Sequence, residues 1–366
     1  DINAVFNMFS TENYRVMLIS TDSINILSER AEKSMEVFCS GLFLSARWFV
    51  VSQYACEGLH FIVLPDKDSA EYCAADLYNL IEGDRVFFLP DSGKNVERSN
   101  YKSTLGVQRT SAVGKILEYG KGERLTVVTY PSALEESIPD ALRIRESVMK
   151  LCVGDEISHD EIISRLFESG FERVDFVAEP GQFAVRGAIV DIFSYSYNNP
   201  FRISFFGDEI ETINIFDCNT QLSKEKVDCC EIYPDIVASD EDAKSSLIDI
   251  FPSDTLVWLD SSDMYKDREF FTGLSKFRRV YMELPLSRQD EEAVKFNIVP
   301  QPVFNKNFEL LTEDIRKRLE DGYRVRIYGE KMSQLERLKS ILSQNGNMLP
   351  EFISGCNIHN GFIDND

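Results

Sequence analysis

GQFAVRGAIVDIFSYSYNNPFRISFFGDEIETINIFD, residues 181–217, decides how the chain must fold. Apolar and polar residues alternate along it, Phe, Val and Ile dominate, and Asn-Asn-Pro and Gly-Asp interrupt it. Side chains at a period of two suit a pleated, half-buried surface, while Gly, Asn and Pro supply the reversals. RGAIVDIF, FRISFFG and EIETINIF read as three successive antiparallel strands. A helical pattern, DEIISRLFESGF at 160–171, precedes them, so 142–226 is expected to be a small α+β antiparallel domain.

Outward from this segment the texture changes. GLHFIVLPD (58–66), DRVFFLPD (84–91) and LTVVTYPSAL (125–134) are short apolar strands, the last running into a helix start. SAEYCAADLYNLIEG (69–83) and QRTSAVGKILEYG (108–120) between them have the apolar spacing of helices. Strands alternating with helices predict a parallel sheet with helical cover. NILSERAEKSMEVFC (25–39) and RWFVVSQYAC (47–56) read as further helices. LVWLDSSD at 256–263 returns to the parallel style, which makes the antiparallel domain an insertion into the parallel one. Residues 274–295 are polar and read as a linker or irregular cover. Near 300 an αβα piece begins: NFELLTEDIRKRLEDG, YRVRIYGE and KMSQLERLKSILSQNG, with GFI at 361–363 as a further short strand. The fold class is therefore α/β: a parallel-sheet domain in two parts (1–141 and 227–297), an inserted antiparallel domain (142–226) and a partial third α/β domain (298–366).

Composition narrows the function. Acidic residues number 61 against 39 basic, a formal charge of −22, so the average surface repels duplex nucleic acid. A basic protein partner, or a local basic face, is still allowed. The eight Cys are scattered without a CxxC pair, and the three His lie far apart, which disfavours a zinc site. A reducing cytoplasm is expected rather than a disulfide framework. No apolar run reaches the length of a membrane span, so no membrane partner is expected.

Residues 181–217 resemble the module shared by the transcription-repair coupling factor and excinuclease B. The order RG, a strand into DIF, an Arg strand, FFGDEI and IFD is long and ungapped, and TYPSAL at 129–134 fits the same family upstream. In that family the module docks excinuclease A. The resemblance further implies a parallel-sheet domain related to P-loop helicases. GLFLSAR at 41–47 stands where excinuclease B has its phosphate loop. In this degenerate site, which includes Ser45, Gly41 remains, but Ala46 replaces the second Gly, Arg47 the Lys, and Trp48 the Ser or Thr that holds magnesium. Asp260 ends the second nucleotide motif, and Ser261 stands where the family has the general-base Glu. Losing Lys, hydroxyl and base together argues against hydrolysis. The degenerate loop and the unit after 300 favour the coupling factor's N-terminal region.

The resemblance thus implies a non-catalytic docking and regulatory module with no cofactor of its own; ATP and magnesium would belong to motor domains elsewhere in a full-length DNA translocase. It implies excinuclease A as partner, later C-terminal domains of the same protein as a cover for the docking face, and RNA polymerase and DNA as partners of those other domains. Candidate docking residues are Arg173 in FERVD, Arg186 in AVRGA and Phe193 in VDIF. An Arg fork pairs bidentately with carboxylates, and an aromatic beside it supplies a desolvated anchor. The plainer alternatives are a surface ion pair for Arg186 and a core residue for Phe193. In a regular strand the two would point apart, unless a bulge near Gly187 intervenes. Lys94, Arg98 and Arg109 form a modest basic set near strand ends, a second candidate surface facing DNA or another domain. Glu225, Asp228 and Glu231 reflect the acidic composition rather than a carboxylate site. The rival reading is an excinuclease-B-like repair protein that binds nucleotide with weak or no hydrolysis. Direct recognition of damaged DNA is a third, and it requires a basic, aromatic-lined face.

Overall fold

The computed structural model describes residues 19–54, 57–83, 85–93, 99–120, 122–197, 199–236, 245–260, 265–285, 288, 292–343 and 349–366. In chain order the strands are β1 (Glu36–Ser40), β2 (Gly58–Val63), β3 (Val86–Phe88), β4 (Arg124–Thr129), β5 (Met149–Cys152), β6 (Glu172–Arg173), β7 (Gln182–Arg186), β8 (Ile189–Ile192), β9 (Phe201–Phe206) and β10 (Glu209–Phe216). They continue with β11 (Ser223–Val227), β12 (Cys229–Ile232), β13 (Leu256–Leu259), β14 (Arg278–Tyr281), β15 (Val294–Lys295), β16 (Ile298–Pro300), β17 (Arg326–Gly329), β18 (Glu351–Ser354) and β19 (Phe362–Asp364). The chain divides into two compact units. One holds the described residues up to Val86 with Leu256–Asp267 and Phe277–Asp366; the other holds Phe87–Thr255 and Arg268–Lys276.

In the first unit five strands form a parallel sheet in the order β15-β1-β14-β13-β2. β13 is buried along its whole length, as expected for a strand covered on both faces. Trp258 at its centre donates its indole N–H to His60 Nδ1 at 3.0 Å. That places the His60 proton on Nε2, which faces the Glu57 carbonyl at 3.0 Å. Lys67–Leu80 starts where Asp66 accepts from the Ser69 backbone N–H at 2.8 Å, an N-cap that ends the LPD strand terminus.

Two sequence readings of this unit are corrected. The helix expected at 25–39 runs Thr21–Lys33, and the EVFCS that follows is β1. Val37, Phe38 and Cys39 are buried consecutively, which fits a two-sided strand rather than one helical face. The polar stretch 274–295 supplies β14, between β1 and β13. Its charged start disguised it: Arg279 pairs with Glu36 at 3.0 Å, and Arg278 donates to the Ala31 carbonyl at 3.3 Å. Beyond residue 300, helices Phe308–Glu320 and Met332–Ser343 flank β17, which pairs in parallel with β18. β19 pairs antiparallel with β16.

In the second unit β4 lies beside β3. The six-stranded sheet β11-β10-β9-β8-β7-β6 is antiparallel except for the β6–β7 edge. Ser158 caps the helix His159–Glu168, accepting from the Glu161 N–H at 3.2 Å. That helix buries Ile162 and Leu166 against Phe183, Val190, Ile192, Phe201, Ile203 and Phe205 on one sheet face. RGAIVDIF is two strands, not one: Gly187 takes φ +61° and turns the chain so that Arg186 pairs with Ile189. A Cβ at that angle would be strained, so glycine makes the turn possible.

β5 and β12 pair antiparallel and form the neck through which the chain enters and leaves this domain. Cys152 and Cys229 lie opposite each other there and are joined by a single disulfide, a pairing that the expectation of a reducing cytoplasm without a disulfide framework did not include. A separation of 77 residues gives no hint of that pairing in sequence. Cys230, next along, points inward and is buried.

Ile203 is fully buried at the centre of the helix-facing core. Ile203→Ala is expected to lower unfolding free energy by about 2–5 kcal/mol in urea titration, through lost burial plus a cavity.

Candidate functional site

The sheet face opposite the helix carries a polar cluster built by register. Residues directly opposite in antiparallel pairs share a face, and the pairings are Ala184↔Asp191, Arg186↔Ile189 and Asp191↔Arg202. Asp191 is fully buried. Arg202 grips it with a fork, Nε to Oδ1 at 2.7 Å and Nη2 to Oδ2 at 2.9 Å. Arg202 also donates to the Gln221 carbonyl at 3.2 Å and lies over the Phe216 ring, 4.3 Å from its centroid. The hydrogen bond to Asp191 holds the Arg202 guanidinium above its ordinary pKa. A buried carboxylate needs this much compensation to remain charged.

Arg186 reaches the same carboxylate through Nη2 and makes no other hydrogen bond among the described residues. Its remaining N–H groups therefore stay available at the surface. Its guanidinium lies 5.0 Å from the centroid of Phe176, a residue 63% exposed. The arrangement is a fixed cation beside an exposed aromatic ring, with orientation set from beneath. Such a pair suits recognition of carboxylates on a partner.

Phe193 lies elsewhere than the docking expectation put it. It is 5% exposed and packs with Val177, Ala184 and Phe216 in a small second core. The turn at Gly187 resets the alternation, so Arg186 shares a face with Asp191 instead of opposing it. Arg173 is exposed in the edge strand β6 and makes no ion pair among the described residues. Its register partner is Phe183, on the helix-facing side, so the sheet does not bring Arg173 and Arg186 together on one face. Asp191, Arg202 and Phe176 were missed in the sequence. Reading the Arg-Gly dipeptide as a hairpin turn would have put Asp191 on the Arg186 face, and the next hairpin sets it opposite Arg202.

The stretch 41–48 runs from the end of β1 through a loop at 41–45 into the helix Ala46–Tyr54, the strand–loop–helix order of a phosphate loop. Its contents are engaged by the chain itself. Gly41 has φ +69°, and a Cβ there would collide with the Phe296 carbonyl oxygen. Ser45 is buried; its hydroxyl donates to Asp76 Oδ2 at 2.7 Å and accepts from the Asn360 N–H at 3.1 Å. His359 also closes on Asp76, with its backbone N–H at 3.0 Å and Nδ1 at 2.6 Å from Oδ1. Arg47 forms an ion pair with Asp260. Ala46 and Trp48 are core residues. Ser261 lies outside the described residues.

The basic set in the second unit is corrected by burial. Arg109 is buried, donating to the carbonyls of Pro90 at 2.8 Å, Ala133 at 3.2 Å and Glu136 at 3.3 Å. It holds loops together rather than facing a ligand. Lys94 and Arg98 lie outside the described residues. Among the described residues no group of three or more His, Cys, Asp or Glu could hold a metal ion, and no helix is long and apolar enough to cross a membrane.

Comparison with known proteins gives this geometry a class. The family model described as the UvrB interaction domain matches residues 149–236, the span from β5 to just past β12. The transcription-repair-coupling factor of Bacillus subtilis (strain 168) is 31% identical over 218 residues, 59% of this chain and 18% of that protein. The Mycobacterium tuberculosis (strain CDC 1551 / Oshkosh) protein of the same name is 33% identical over 190 residues, 50% of this chain and 15% of its own length. That of Escherichia coli (strain K12) is 32% identical over 116 residues, 32% and 10% respectively. Residues 149–236 thus match a UvrB interaction domain, and the chain is similar in sequence to bacterial transcription-repair-coupling factors. It spans less than a fifth of the length of these relatives.

At the neck, Glu231 on β12 adjoins Glu118. Burial, then the hydrogen bond with Glu118 and its charge, push the Glu231 carboxyl up. Burial acts the same way on Glu118, but hydrogen bonds from Lys115 at 2.8 Å and the Tyr233 hydroxyl at 2.6 Å outweigh it and hold that carboxyl low. A raised folded-state pKa favours the protonated form, so its stabilising share is complete below the ordinary carboxylate value and disappears as pH rises through the raised one. Glu231→Gln is therefore expected to raise the melting temperature at neutral pH, with the gain shrinking toward acidic pH in a series of thermal melts.

Proposed function

We propose that this chain is the N-terminal docking and regulatory module of a transcription-repair-coupling factor, recruiting excinuclease A for transcription-coupled nucleotide excision repair. The observation that carries the reading is Arg186, exposed and held by buried Asp191 beside exposed Phe176 on a UvrB interaction domain. An oriented guanidinium loses little freedom when it meets a partner's carboxylate. Arg173, exposed at the sheet edge, extends the docking surface around that edge. In the whole protein, later C-terminal domains would cover this face, and RNA polymerase and DNA would engage domains beyond this chain.

The nucleotide loop is read as lapsed. Arg47 neutralises Asp260, the residue positioned for a metal in a working site, and Trp48 offers no oxygen. The phosphate side of the loop is engaged by Ser45, Asp76 and the segment around Asn360. No nucleotide turnover is assigned to this chain; ATP hydrolysis would belong to motor domains of the full-length protein.

Binding of excinuclease A, followed by pull-down and calorimetry, tests the docking role. Arg186→Glu is expected to cost about 2–5 kcal/mol of binding. Arg173→Glu, which leaves Asp191 untouched, is expected to weaken it more mildly while the melting temperature holds. Unchanged retention of both variants would remove the docking assignment. Calorimetry with ATP and magnesium is expected to be silent, and micromolar binding would restore the rival nucleotide-binding reading.

A further inference from the structure

The interaction domain hangs from two strands, and the disulfide sits at the end of that ladder nearest the domain. β5 is its first strand and β12 its last, with register pairs Cys152↔Cys229, Leu151↔Cys230, Lys150↔Glu231 and Met149↔Ile232. The sulfur pair thus closes the covalent loop that contains the whole six-stranded sheet. The Val153 N–H donates to the Asp228 carbonyl at 2.8 Å just outside the pair. Cys152 and Cys229 therefore occupy a non-hydrogen-bonded site, where opposed side chains approach most closely, and their Cα atoms are 4.1 Å apart. The register sets the two side chains within bonding reach of each other.

Opposed register and accessibility together set this pair apart among the described cysteines. Cys229 is exposed and Cys152 half-exposed, whereas Cys39, Cys73, Cys230 and Cys356 are buried, and half-exposed Cys218 has no cysteine opposite it. Burial pushes the neighbouring Cys230 thiol up to about 12, which leaves it inert to exchange. Beside the sulfurs, among the described residues, the ladder has one cross-strand ion pair, Lys150 with Glu231 at 3.7 Å. A two-stranded ladder has little stability of its own, so a covalent tie at its end has leverage on the whole neck.

We propose that Cys152 and Cys229 are a reversible redox modification site, a clasp that fixes the neck of the interaction domain when oxidised and loosens it when reduced. The oxidant is a low-molecular-weight disulfide. The thiolate of one cysteine attacks it, forming a mixed disulfide and releasing one small thiol. The second cysteine thiolate then displaces the other small thiol and forms the Cys152–Cys229 bond. Two cysteine S–H bonds are lost, one S–S bond breaks and one forms, and the protons pass to the two thiols released. The clasp acts on how the domain is held and is independent of which partner docks on it.

The test equilibrates the full chain with glutathione at graded ratios of reduced to oxidised form, traps thiols by alkylation and maps the peptides. The expected result is a single titrating pair, Cys152 with Cys229, and slower amide exchange in β5 and β12 in the oxidised form than in the reduced one. Cys152→Ser and Cys229→Ser are expected to abolish the redox dependence of exchange while retaining the six-stranded sheet. Because oxidised and reduced wild-type protein are compared directly, the outcome does not depend on a variant folding. Both cysteines fully alkylated at every ratio would overturn the proposal, as would equal exchange at the neck in the two forms.

Discussion

A single buried charge organises the interaction domain. Asp191 sits without solvent in β8, between β7 and β9, and is stable there because two guanidinium groups converge on it. Removing the carboxylate would leave two cations with nothing beneath them, and removing Arg202 would leave the acid short of its main partner. Sheet register, turn and side-chain orientation are therefore coupled. The pairings Ala184↔Asp191 and Asp191↔Arg202 hold only in one alignment, and a slip of one residue would drive the charges into the helix-facing core. The aromatic covering on that face, Phe193 and Phe216, keeps water away from the carboxylate while Phe176 stays outside.

The first unit satisfies its polar positions differently. Around the loop at 41–48, the groups that a phosphate site would direct at a ligand are satisfied by the chain: Arg47 by Asp260, Ser45 by Asp76 and Asn360. Polar atoms are costly when buried without partners, and here the chain itself supplies the partners. The Gly41 approach to Phe296 shows the same closure from the other side.

The sequence was most informative where periodicity was strong and turn residues were explicit. Asn-Asn-Pro and Gly-Asp marked two hairpin boundaries, and LVWLD reads as the buried strand it is, pairing in parallel with β2 and β14. Where charges interrupted an apolar run, the reading failed: RRVY is a central strand, but its two arginines gave it the look of a linker. EVFCS failed for the opposite reason, since three buried residues in a row carry no period and merged with the helix before them. In the site, Arg186 was legible from the Arg-Gly motif. Its relation to Asp191 was not, because one glycine at positive φ reverses which side chains share a face.

Because β5 and β12 lie side by side, the chain between them leaves and returns at almost one point. A segment bounded in that way asks no change in spacing of whatever chain precedes and follows it. Its helix and six strands share a core of their own, so most of its burial is settled within its own length.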